Sequence, residues 1–327
     1  MRFVLPLLLL AALAWWFGLE PVAQALAHAS PGGLLVYLLL TAGIVLGCAV
    51  RWRLIIRAIG GSVSLGRLVM ARLAGDAVGA LVPSAKLAGE PLRVALARDA
   101  GTSAAQSAAT VALDRFVEII GNTLAVLAYV AIFCAVRGTV SDGAWLVAAT
   151  MALLLIGLAA LAFRLRRGHR PLAPLYGQRA RARAPRLAAW MDGVRQAEDH
   201  VVHFFHQHPF VFGVGLVASL LLEALTILQY HVLLTAFGVA LDLPTLCLVL
   251  LGGGAANAAP VPAGLGALEA AQVAVVGAAA GQPALGFVVG IIVRLHETLL
   301  LAIGLAALAY RGVSLGRLRL PAPTTGA

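Results

Sequence analysis

Residues 81–93 read LVPSAKLAGEPLR, and residues 257–271 read NAAPVPAGLGALEAA. In each, a short apolar limb runs into proline and then reaches a glutamate. Pro83 stands seven residues before Glu90, and Pro262 stands seven before Glu269. Arg115 and Glu118 follow the first motif at the same distances as Arg294 and Glu297 follow the second. All four pairs share one offset, 179 residues. Only 12% of the chain is charged, so this agreement marks an internal duplication. The two units cover residues 33–136 and 210–310.

The motifs sit between long apolar runs. Residues 3–18, 33–50, 119–136, 144–163, 210–237 and 284–310 are each about as long as a membrane-crossing helix, or longer. The chain is 61% hydrophobic, with mean hydropathy +0.95. No soluble core could cover so much apolar helix. The expected fold is all-α, a polytopic transmembrane helical bundle. One membrane domain is expected over residues 1–316, with a linking span and basic cytoplasmic loop over 144–206 and a disordered tail over 317–327.

Each unit reads as span, hairpin, span. Leu68–Leu81 as a helix covers about 21 Å and Thr245–Ala259 slightly more, both short of a core about 30 Å thick. The breaks at Pro83 and Ser84, and at Pro260, Pro262, Gly264 and Gly266, interrupt helical hydrogen bonding. Two re-entrant hairpins with tips at membrane depth are expected. Backbone of that kind is tolerated only when buried in protein or lining a wet cavity. Three crossings separate the starts of the units, an odd number, so the units are inverted. Inverted repeats with broken helices around a central site are a transporter plan.

Charge deep in the pattern falls into two groups. The first holds Asp76, Lys86, Glu90, Arg93, Asp114, Arg115 and Glu118. The second holds Glu269, Arg294 and Glu297, with Asn257 nearby. Each buried charge is costly and needs a partner or water. Glu90–Arg93, Arg115–Glu118 and Arg294–Glu297 are spaced i,i+3, and Lys86–Glu90 i,i+4, so each pair shares a helix face. Such pairs either staple the hairpins to the bundle or line a path for a charged headgroup. Arginine suits the second role, because its planar fork binds phosphate bidentately. Asp76 lies between Gly75 and Gly79, a small-xxx-small spacing that favours close helix packing.

The net charge is +10, and 23 of the 24 basic residues are arginine. They cluster between apolar runs, at Arg51, Arg53 and Arg57, at Arg164–Arg170, and at Arg311–Arg319. The positive-inside rule then puts both termini in the cytoplasm, with a bacterial plasma (inner) membrane as the expected location. Residues 164–195 hold nine arginines against one acid, Asp192. That loop sets topology and can also gather anionic lipid headgroups. Residues 186–206 have the pattern of an interfacial amphipathic helix. No nucleic-acid-binding signature is present, so nucleic acid is not an expected partner. The start, Met1–Ala29, also has signal-peptide features, including Ala25-Leu26-Ala27. Its Trp15, Trp16 and Phe17 favour an uncleaved first helix.

No cofactor or metal is expected. Cys48, Cys134 and Cys247 lie in apolar segments without metal spacing. His200 and His203 share a helix face but His206 swings away, which favours water and lipid phosphate as partners. His231 and His296 read as bundle histidines.

The stretches LVPSAKLAGEPLR, LDRFVE (113–118) and NAAPVPAGLGALEAA resemble the membrane region of lysylphosphatidylglycerol synthases and their stand-alone, flippase-like relatives. The resemblance spans Arg51 to Tyr310. It implies translocation of a lipid between leaflets and points to Pro83, Glu90, Arg93, Asp114, Arg115, Asn257, Pro262, Gly264, Gly266 and Glu269. Ala80 or Val82 ahead of Pro83, and Ala263 ahead of Gly264, depart from the family pattern. The synthase's soluble aminoacyl-transfer domain has no counterpart here, so aminoacylation is not carried over. Three functions are open. The first is a lipid translocator for an anionic or isoprenoid-linked lipid. The second is an accessory scaffold for a lipid-biosynthesis enzyme. The third is an intramembrane lipid-phosphate enzyme, for which Lys86-x6-Arg93 is a beginning without the later elements. There is no Walker A motif for ATP hydrolysis. A non-enzymatic translocator is the leading expectation.

Overall fold

The structure, a computed structural model, describes residues 23–24, 27–81, 87–98, 102–138, 142–258 and 266–310. Among these there is no strand. Ten helices carry the architecture. They are α1 (Pro31–Ala58), α2 (Leu65–Leu81), α3 (Glu90–Arg98), α4 (Ala104–Arg137), α5 (Asp142–Arg166), α6 (Ala188–Gln207), α7 (Pro209–Ala236), α8 (Leu243–Ala258), α9 (Ala267–Ala280) and α10 (Pro283–Tyr310). Five of them, α1, α4, α5, α7 and α10, are long and apolar enough to cross a membrane. They match five of the six apolar runs; the first run, 3–18, lies outside the described residues. So do the tail, Lys86, and the breaks Pro83, Ser84, Pro260, Pro262 and Gly264. Asn257 lies on α8, its side chain not described.

Local chemistry sets the helix ends. The Ser30 hydroxyl accepts from the Gly33 amide at 3.2 Å, and Pro31 takes the first turn of α1. Ser103 and Gln106 form a reciprocal capping box at the start of α4. Gly138, at φ +67°, closes α4 in the left-handed region, where a side chain would be strained.

The order long, short, short, long occurs twice. Pro31 and Pro209, Leu65 and Leu243, and Ala104 and Pro283 open corresponding helices, with α3 and α9 as the second short members. The packing follows the same correspondence. Helix α1 lies along α7; α2 packs on α10, and its counterpart α8 packs on α4, the counterpart of α10. At 17 and 16 residues, α2 and α8 are about 26 and 24 Å long, shorter than an apolar core of about 30 Å.

Small residues allow these close crossings. A Cβ on Gly89 would stand 1.9 Å from the Gly75 carbonyl oxygen, and one on Gly304 would stand 2.3 Å from that of Leu73. Gly75 therefore does pack closely, against Gly89 and the Arg93 stem. Helix α9 contains a π turn at Val273–Gly277, against which Gly286 of α10 is pressed. Such single-turn insertions re-aim neighbouring side chains.

The amphipathic segment forms α6. Its Phe204 and Phe205 pack with Ile55, Leu113 and Leu165, so this part of its apolar face is covered by protein. The basic segment before it is anchored by Glu198, which is 3% exposed. Glu198 accepts from the Leu172 amide at 2.6 Å and the Tyr176 hydroxyl at 2.5 Å. Burial, helped by that hydrogen bond, pushes the Tyr176 hydroxyl pKa up. Glu198→Ala leaves the Leu172 amide without its acceptor, a cost of about 1–3 kcal/mol. Limited trypsin digestion is expected to cut the arginine-rich segment markedly faster in this variant. Unchanged digestion would show that the anchor is dispensable.

Candidate functional site

Two ion-pair clusters stand inside the apolar bundle, one in each half. The first is centred on Asp114, which has no exposed surface. Its Oδ1 accepts from Arg51 Nε at 3.0 Å. Its Oδ2 accepts from Arg93 Nη2 at 2.6 Å and from Arg72 Nη1 at 3.4 Å. Four residues on, Glu118 accepts from Arg51 at 3.0 Å, Arg72 at 3.2 Å and Arg115 at 3.1 Å. Glu90, opening α3, accepts from Arg115 Nε at 2.8 Å and from Arg93 Nη1 at 3.1 Å. Arg72 also approaches Asp76 at 3.6 Å. Four arginines thus meet four carboxylates, on α1, α2, α3 and α4.

The cluster has a closed base and an open edge. Arg51, Arg93 and Asp114 are at most 2% exposed. Arg93 also lies over the Trp52 ring, 4.3 Å from its centroid. These groups hold one another, because a buried charge without a partner is far costlier than a paired one. At the edge, Glu90, Arg115 and Glu118 keep 16–17% exposure and Asp76 keeps 42%. Arg115 is therefore the most exposed of the cluster's four arginines. Arg51 reaches into the other half as well, donating to Ser219 of α7 at 2.8 Å.

The second cluster repeats part of this design. Arg294 Nε donates to Glu269 at 2.9 Å, and Nη1 donates to Glu297 at 3.0 Å. Glu269 is fully buried, while Glu297 is 33% exposed. Glu269 lies in the first turn of α9, whose N-cap Gly266 has φ +76°. Beside the cluster, the Tyr37 hydroxyl and His296 Nδ1 are hydrogen-bonded, so His296 is held within the bundle. A cavity of about 530 Å³ lies away from both clusters, bordered by His28, Gly238, Ala280 and Gln282.

Glu90–Arg93, Arg115–Glu118 and Arg294–Glu297 pair as their i,i+3 spacing implied, and the structure also brings Arg115 to Glu90, Arg93 to Asp114 and Arg294 to Glu269. Arg51 and Arg72 are further members. Arg51 looks like a loop charge by position, yet it lies within α1. It falls in phase with Cys48 and Ile55 on the buried face, a periodicity that identifies it. Arg72 is one turn before Asp76 and shares that logic. Glu223 on α7 is another intramembrane acid and accepts from the Tyr129 hydroxyl at 3.0 Å.

Comparison with known proteins gives two findings. The family described as "Lysylphosphatidylglycerol synthase TM region" matches residues 3–304. A protein described as "UPF0104 membrane protein", from Methanothermobacter thermautotrophicus, is 26% identical over 337 residues, covering 95% of each chain.

Proposed function

The chain belongs to the lysylphosphatidylglycerol synthase transmembrane-region family, and from that premise we propose that it moves a lipid between the two leaflets. It is an integral membrane protein, in contact with membrane lipid along its apolar spans. The observation that carries the proposal is the placement of two arginine–glutamate clusters. Each lies where a short helix pair meets a long span. In the proposed working arrangement the two short pairs are re-entrant and inverted with respect to each other. A headgroup passes along the open edges of the clusters while its tails stay in the bilayer.

Arg115 and Arg294 are the groups proposed to meet the headgroup. Each already holds a carboxylate, so an anionic phosphate would exchange with Glu90 or Glu297 rather than enter an empty site. Exchange of one partner for another keeps the guanidinium paired throughout, which lowers the barrier to passage. No covalent chemistry is assigned to the chain. In this reading both termini face the cytoplasm, which the arginine distribution favours.

Reconstitution into liposomes with labelled lipids tests this. An anionic phospholipid, a polyprenyl phosphate and a glycolipid form the panel. At least one anionic member is expected to exchange leaflets faster than in protein-free vesicles. No exchange of any member by folded protein would contradict the proposal. A second reading, an accessory scaffold, is favoured by the match of four arginines to four carboxylates in the first cluster among the described residues. It predicts co-purification with a lipid-modifying enzyme, and unaltered binding of that enzyme when Arg115 is replaced.

A further inference from the structure

Helix α5 is the span least covered by protein. Of its residues only Leu165 is buried, and Trp145 and Phe163, near its two ends, are both exposed. The two rings are 18 residues apart, about 27 Å of helix, close to an apolar core about 30 Å thick. Aromatic rings at that separation suit the two interfaces of a bilayer. The chain after Phe163 therefore leaves the apolar core, and it re-enters at Pro209, where α7 begins. Arg167 lies over the Phe163 ring, 4.2 Å from its centroid. The connecting segment thus starts at headgroup level and is tied to one membrane face at both ends.

That segment is basic, and its acids are largely occupied. Residues 164–207 hold nine arginines against three acids, Asp192, Glu198 and Asp199. Glu198 accepts from the Leu172 amide and the Tyr176 hydroxyl, and Asp199 pairs with Arg170 at 2.7 Å. Arg183, Arg186 and Arg195 are exposed, and among the described residues none of them has an ion pair. An apolar surface is left open in the same stretch. Phe204 and Phe205, late in α6, pack on the bundle. Leu187 and Trp190, at its start, are 51% and 49% exposed. Three residues apart, they lie on one side of the helix start. Leu172 and Leu175, on the short helical turn that Glu198 anchors, are exposed as well. Leucine and tryptophan among free arginines suit a lipid interface, with the apolar side chains at the acyl boundary and the charge at the phosphates.

We propose that this surface is a binding site for anionic phospholipid of the adjoining leaflet, with Leu187 and Trp190 as its anchor and Arg183, Arg186 and Arg195 as its phosphate contacts. Three observations commit the occupant to lipid. The free charge is complementary to anionic headgroups. The surface continues from α5, which lipid already covers. Spans at both ends hold it against the bilayer, where a lipid is always within reach. The Glu198 anchor keeps the segment in the shape that presents these side chains. The site shares no residue with either ion-pair cluster, so it stands whether or not the chain moves lipid. Its effect is to keep anionic lipid enriched beside the bundle on that face.

Quenching of Trp190 fluorescence by brominated lipid tests this without any transport. The full chain is reconstituted into mixed vesicles of phosphatidylserine and phosphatidylcholine, with bromine high on the acyl chains of one or the other. The Trp190 signal is the difference between wild type and Trp190→Phe. Bromine on phosphatidylserine is expected to quench it more strongly than bromine on phosphatidylcholine. Each arginine is expected to contribute up to about fivefold to that preference. The preference should fall as salt is raised. In the triple variant Arg183→Gln, Arg186→Gln, Arg195→Gln it should approach unity, with melting unchanged because these side chains are exposed and unpaired. Should that variant fail to fold, the salt dependence decides alone. A Trp190 signal that neither lipid quenches places the surface in water or against another protein and overturns the inference. Equal quenching by the two lipids in the wild type overturns it too, as does a preference that survives in the folded triple variant.

Discussion

Replacing Asp114 by asparagine is expected to abolish detergent-stable folded protein. Asp114 is fully buried and accepts from three arginines, Arg51, Arg72 and Arg93. Asparagine keeps the shape but removes the charge, and its amide nitrogen turns a donor toward guanidinium groups that are donors only. Breaking one buried ion pair from one side costs about 3–5 kcal/mol. Here three cations lose a shared partner, against a total stability of about 5–15 kcal/mol for ordinary domains. Asp76→Asn is the matched control. Asp76 is 42% exposed and 3.6 Å from Arg72, so its loss is expected to cost about 0–1 kcal/mol. Melting of both variants in detergent makes the comparison. Equal melting temperatures would mean that the three arginines find other acceptors.

The second large effect is expected from Gly89→Ala, a single added methyl. Its Cβ would stand 1.9 Å from the Gly75 carbonyl oxygen and 2.6 Å from the carbonyl carbon. Both neighbours are backbone, so no side chain can swing aside. Helix α2 and the turn before α3 must separate, and overpacking of this kind costs about 1–3 kcal/mol or more. The same shift moves Glu90, the next residue, away from Arg115. Melting should fall, and lipid exchange should fall further than melting explains. Gly43→Ala provides the opposite sign. Nothing lies within 4 Å of a Cβ at that position in α1, and alanine in a helix is preferred to glycine by about 0.5–1 kcal/mol. Gly89→Ala melting as high as Gly43→Ala would disprove the tight crossing.

Much of this was legible in the residues, and what was not has a physical cause. Five spans follow from apolar runs that only a lipid surround can accommodate, and their ends follow from Ser30, Pro31, Ser103 and Gly138. Spacing predicts the i,i+3 pairs on α3, α4 and α10, because helix geometry alone brings those residues together. The cross-chain contacts are different. Arg51 meets Ser219 across 168 positions of sequence, and no local rule encodes that meeting. Its flanking position, followed by Arg53 and Arg57, gives it the look of a topology signal. The burial of Glu198 was hidden in the same way, inside a basic stretch where an acid reads as solvated.

Leaflet exchange by the reconstituted protein, wild type beside Arg115→Ala and Glu269→Gln, tests the central claim most directly. Each variant removes one charge from one cluster, and folding of each is checked first by melting. The account predicts that the wild type exchanges an anionic lipid and that each folded variant loses that exchange. Exchange at the wild-type rate in both variants would contradict it, because the lipid would then cross without either cluster.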